Sequence, residues 1–141
     1  MSRVDQARDY FNQGYACSQA VALAFSDLTG IGETELGKIM LPFGGGLGRQ
    51  RLTCGAVSGM AAVIGCVFAK DENTNENKLA TYAIVRELCE KFQEAHGSLI
   101  CADLLKGKVA VHEAGKVHPC EVLVCGAAKL LEDYLSEKGI F

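Results

Sequence analysis

The chain has no tryptophan, only two prolines, no Cys-x-x-Cys pair and no surplus of positive charge. Each absence closes off a class of protein. So little proline leaves no linker to divide the chain, and neither a repeat nor a heptad run is present, so its 141 residues read as one domain, 1–141. Without Cys-x-x-Cys, a thioredoxin-type dithiol and a zinc ribbon or finger are disfavoured, because both draw their sulfurs from close pairs on tight turns. Fourteen Lys and Arg against seventeen Asp and Glu give a formal charge of -3. That offers no basic face to a phosphate backbone, so nucleic acid is not an expected partner. The start, Met1-Ser2-Arg3-Val4-Asp5, lacks an apolar core, so a secretory signal is not expected and a cytoplasmic location is. The longest apolar stretch, Thr53 to Ala69, contains a GxxxG pattern at Gly55 and Gly59. It is short for a membrane span and rich in small residues, so it is expected to be a buried core helix.

What is present is 49% hydrophobic residues with helical periodicity nearly throughout, sixteen glycines and seven cysteines. Ser2 is a suitable cap for a first helix carrying Val4, Ala7, Tyr10 and Phe11, with Gly14 as its stop. A second helix is expected from Cys17 to Leu28, closed by Gly30, and a third from Glu33 to Leu41. Residues 44 to 48 hold four glycines in five positions and cannot be helix, because the backbone entropy lost there is too great. Thr53 is expected to cap a helix from Cys54 to Lys70, on which Gly55, Gly59, Ala62, Cys66 and Ala69 form a stripe open to a close neighbour. After a polar turn, Leu79, Tyr82, Ala83, Val85, Leu88, Cys89 and Phe92 give the next helix an apolar face that ends at Gly97. Ser98 would cap a short helix from Leu99 to Leu105. Pro119 suits the first turn of the last helix. The fold class is therefore all-α, a helical bundle of about seven helices with one glycine-rich loop.

Four cysteines share a position. Cys17, Cys54, Cys101 and Cys120 occupy or flank expected helix N-termini, where unpaired N–H groups and the helix dipole favour a thiolate and lower its pKa. Cys66, Cys89 and Cys125 fall inside helices on apolar faces and read as packing. Cys120 and Cys125 are five apart on one helix and point about 140° away from each other, so they do not share a site.

The chain resembles the redox-active proteins named for cysteines around a CGAxxG motif, the C_GCAxxG_C_C family. Gly14-Tyr15-Ala16-Cys17-Ser18-Gln19-Ala20-Val21 is similar to its first cysteine segment. Phe43-Gly44-Gly45-Gly46-Leu47-Gly48 and Cys54-Gly55-Ala56-Val57-Ser58-Gly59 are similar to its glycine loop and CGAxxG motif. Gly97-Ser98-Leu99-Ile100-Cys101 and Pro119-Cys120 match the third and fourth cysteines. The resemblance implies a redox role and, through a likeness to a region of split-Soret cytochromes, an iron-sulfur site; it supplies no substrate.

If the four helix starts converge, charge limits what they can do. Two thiolates about 4 Å apart repel by on the order of 4 kcal/mol at an effective dielectric near 20, and a helix end returns at most about 2 kcal/mol. Four bare thiolates cannot coexist. The cluster must be partly protonated, oxidised to disulfides or neutralised by a metal centre. A [2Fe-2S] cluster on Cys17, Cys54, Cys101 and Cys120, steadied by N–H groups from Gly44, Gly45, Gly46 and Gly55, is one reading. Thiol/disulfide exchange is a second, zinc on four cysteines a third, and a non-enzymatic helical binding module with structural cysteines a fourth. Electron transfer would require a redox partner protein; a homodimer is compatible with the sequence. Arg49 and Arg51 would offset negative charge or form a solvated turn, His96 reads as a capping cation, and His112 and His118 take loop or cap roles or assist a thiolate.

Overall fold

The computed structural model describes residues 2–141. Among them, eight α-helices and no strand form a single all-α domain. They are α1 (Arg3–Asn12), α2 (Cys17–Leu23), α3 (Ser26–Thr29), α4 (Glu33–Met40), α5 (Gly55–Phe68), α6 (Asn75–His96), α7 (Cys101–Leu104) and α8 (Pro119–Glu137), with a 3-10 turn at Leu41–Phe43. No helix is long and apolar enough to cross a membrane.

The bundle is built around α2, in which every residue is buried. It contains only small or aliphatic side chains besides Ser18 and Gln19, and both of those are satisfied. Ser18 Oγ donates to the Met40 carbonyl at 2.7 Å, and Gln19 Nε2 donates to the Gly37 carbonyl at 2.9 Å. Gln19 Oε1 also accepts from the Ala16 N–H at 2.8 Å, which caps the start of α2 although Ala16 has no polar side chain. These bonds tie α2 to α4, and α5 lies against it through glycine. A Cβ on Gly59 would stand 2.7 Å from the Ser18 carbonyl oxygen and 3.1 Å from Val21 Cβ. The expected small-residue stripe serves this approach only in its first half, since Ala69 and Cys66 at its far end are exposed.

The expected second helix breaks after Leu23. Phe25 leaves helical geometry at φ -120°, ψ 20° and is fully buried, and the chain resumes as α3 until Gly30 turns left-handed at φ 72°. Thr53 does not cap α5; it bridges to Ile100, and Cys54 itself is the N-cap. Ser98 starts the turn before α7 by accepting from the Ile100 N–H, but Ile100 is the cap. On α6 only Leu88 and Phe92 are buried, while Ile84 and Val85 pack against the core at its edge and Leu79 and Tyr82 are each 55% exposed, on a face that turns to solvent. Gly97 closes α6 at φ 96°.

The glycine-rich loop is a left-handed turn. Gly45, Gly46, Leu47, Gly48 and Arg49 have φ of 67°, 73°, 67°, 59° and 62° in succession, and Gly48 N–H donates to the Gly44 carbonyl as in a helix of the opposite hand. Such a turn costs about 1–2 kcal/mol per residue that carries a Cβ, so glycine fills most of it. Backbone bonds hold it down: Arg51 N–H to Gly45, Leu52 N–H to Gly46, and across to α7 through Cys101 N–H to Leu52 and Ala102 N–H to Arg51.

Two glycines of α5 separate close packing from propensity. Gly59→Ala should lower the free energy of unfolding by about 1–3 kcal/mol through overpacking against α2. Gly65, with nothing within 4 Å of its Cβ position, should gain about 0.5–1 kcal/mol on substitution by Ala. Urea unfolding of the two variants measures both.

Candidate functional site

Each of the four expected cysteines stands at a helix start. Cys17 opens α2, Cys54 caps α5, Cys101 opens α7 and Cys120 follows Pro119 at the head of α8. Cys17, Cys54 and Cys101 are buried and Cys120 half-buried, and none is in a disulfide. The fold brings them together: Cys101 acts electrostatically on Cys17, Cys17 and Cys101 on Cys54, and all three on Cys120. Every pair among the four is thus coupled.

Glycine makes the gathering sterically feasible. A Cβ on Gly55 would run into Cys17 Sγ and stand 2.9 Å from the Phe43 carbonyl oxygen. One on Gly46 would stand 2.7 Å from Cys101 Cβ and 2.6 Å from the Leu52 nitrogen. Gly44 lies against Ala16, where its Cβ would come within 2.9 Å of the neighbouring methyl. Gly45 turns its N–H toward the Cys17 thiol, which also receives backbone N–H groups at Ser18 and Cys17, while Ala56 and Val57 direct theirs at Cys54. Successive N–H groups of this kind form a concave donor surface suited to negative charge.

Those donors do not win in the free protein. Helix starts were expected to lower the thiol pKa values, but burial pushes Cys17 up, and burial together with the neighbouring thiols pushes Cys54 and Cys120 up to about 12. Loss of water costs a thiolate more than a few N–H groups return. These three are therefore neutral thiols at neutral pH unless something positive joins them. A cation is already present in Arg51, whose Nη1 reaches Cys101 Sγ at 3.7 Å and whose charge pulls Cys120 down. Arg49 instead lays its stem across Gly45.

The remaining candidates fall outside the cluster. His118 caps α8, with Nδ1 accepting the Cys120 N–H at 2.9 Å, so that nitrogen carries no proton. Burial and the neighbouring His112, with ring centroids 4.7 Å apart, push its pKa down. His96 was expected as a capping cation. It is pressed against Gly126 and packed on Phe92 at 4.5 Å, and burial and then Lys108 lower its pKa, which favours the neutral ring. Cys66 is exposed and not a packing residue; Cys89 and Cys125 are half-buried, the latter beside Arg8. Among the described residues, no group of three or more His, Cys, Asp or Glu side chains is arranged to hold one metal ion. A closed zinc site on four cysteines gains no support from this geometry. The sequence signal for Arg51 was present but undirected: residues 36–70 contain no Asp or Glu.

Exposed Cys66 should be alkylated first at pH 7, and Cys54 and Cys120 in metal-free protein roughly a hundredfold more slowly than a free thiol, as read by mass spectrometry of iodoacetamide-treated protein. A thiol whose pKa folding raises stabilises the native state below its unfolded pKa, about 8.5, and that contribution is lost as pH climbs toward the folded value. The melting temperature of metal-free protein should therefore fall above about pH 9, and less steeply in Cys54→Ala.

A family model described as "Putative redox-active protein (C_GCAxxG_C_C)" matches residues 15–134. No curated protein and no solved structure matches the chain. The matched span contains all four coupled cysteines and the whole left-handed turn, and the chain belongs to the redox-active C_GCAxxG_C_C family.

Proposed function

We propose that Cys17, Cys54, Cys101 and Cys120 act as one electron-carrying unit, and that a two-iron iron-sulfur cluster is the group they hold. The observation that carries this reading is the mutual coupling of four thiols drawn from four separate helix starts, three of them pushed above their ordinary pKa. A site built to work as bare thiolates would lower those values; a site built for a metal centre has no need to, because the metal displaces the protons itself.

The residues fit such a group by their donor chemistry. Four thiolates are the ligand set of a two-iron cluster, which takes two per iron and does not ask for three about a single ion. When bound, the cluster supplies one-electron exchange at a potential set by its charge, the hydrogen bonds to its sulfurs and its exposure. The chain's own residues would set those quantities. N–H groups of Gly45, Ser18, Ala56 and Val57 stabilise negative charge on Cys17 and Cys54. Arg51 offsets charge at Cys101 and Cys120. Burial of Cys17, Cys54 and Cys101 keeps water away. Half-buried Cys120 is the least enclosed edge, where an electron would pass to a partner protein. Thiol/disulfide exchange is the second reading, favoured by the contact of the Arg51 guanidinium with the Cys101 sulfur.

Protein purified without oxygen, or reconstituted with iron and sulfide, should be brown and carry about two irons and two sulfides per chain. Cys54→Ser should lose both, whereas Cys66→Ser should keep them. Colourless, iron-free protein after both treatments overturns the cluster and leaves the exchange reading.

A further inference from the structure

Beside the cysteine cluster the surface opens into a hollow of about 470 Å³, lined by Arg51, Ala102, Leu105, Lys108, Ala110 and Val111. Its wall is of two kinds: four small or aliphatic side chains and two cations. Neither cation forms an ion pair among the described residues. No carboxylate lines it, and the nearest acid in sequence, Asp103, is engaged by the Ser98 hydroxyl at 2.9 Å. The surroundings lack acid too, since residues 36–70 contain none and Lys106 and Lys108 stand in a stretch without one between Asp103 and Glu113. In a chain of net charge -3, the side chains that line this hollow carry charge of the opposite sign only.

Two unpaired cations in a partly apolar recess attract negative charge, and the apolar wall requires that the charge be attached to a hydrophobic body. Arg51 also touches Cys101 Sγ, so it links the hollow to the cluster. We propose that this hollow binds a small organic anion, one carboxylate, sulfonate or phosphate on an apolar ring or chain, with Arg51 and Lys108 holding the charged group. Arg51 then stands between the ligand and Cys101. Binding of the anion does not depend on the redox function proposed above.

The test uses redox-inert probes, so that failure of binding and failure of the redox reading separate. Naphthalene-2-sulfonate, 2-naphthalenemethanol and inorganic sulfate are titrated into 15N-labelled full-length protein. The sulfonate should shift the amides of Arg51, Ala102, Leu105 and Lys108 and bind at least roughly tenfold more tightly than either the neutral alcohol or the sulfate, the size of one charge-assisted bond. Arg51→Gln and Lys108→Gln should each weaken it roughly tenfold; the second change lies in an exposed loop and leaves the glycine turn untouched. Equal affinity for sulfonate and alcohol, shifts centred on residues outside this hollow, or unchanged affinity in both variants overturns the proposal.

Discussion

Removing four sulfurs from water in one corner of a small bundle is the constraint on which the rest of this structure depends. Burial makes charge at Cys17, Cys54 and Cys120 expensive, and each thiol that ionises raises the cost for the others. The helix starts that carry them supply N–H groups, yet not enough to reverse that balance. The free protein therefore holds neutral thiols in a site shaped for negative charge. That mismatch is the physical ground on which the proposal of a positively charged occupant rests, since a metal centre would satisfy the donors and displace the protons together.

The fold serves the same corner. Helix α2 is buried on every side and is tied to α4 by Ser18 and Gln19, so Cys17 at its head has little freedom. Helix α5 reaches α2 only because Gly55 and Gly59 carry no Cβ, and that approach sets Cys54 near Cys17. The left-handed turn from Gly45 to Arg49 then brings backbone, not side chains, over the sulfurs and pins α7 beside them through the Leu52 and Arg51 carbonyls. Leu47, Arg49 and Arg51 accept positive φ to keep this path, and the position of Arg51 against Cys101 is one result.

Much of this was legible along the chain. Caps and stops at Ser2, Gly30, Gly97 and Pro119 mark real helix ends, because each acts through local hydrogen bonding or local φ preference. Four glycines in five positions signalled a non-helical turn, though not its hand. Elsewhere neighbours overrode local pattern. Thr53 looks like a cap but is drawn into a bridge with Ile100, and the face of α6 at Leu79 and Tyr82 has helical period but no partner to cover it.

Sequence alone determined that the chain is all helical, that its cysteines fall into two groups and that one group begins helices, since periodicity, capping and glycine preference act within a few residues of each position. Only the tertiary structure decided that those four helix starts meet, that the thiols of Cys17, Cys54 and Cys120 are raised and not lowered in pKa, that Arg51 and not Arg49 touches a sulfur, and that His96 is a packed ring. Each of these depends on how much water remains around a group and which distant segment replaces it, and no spacing along a chain encodes that.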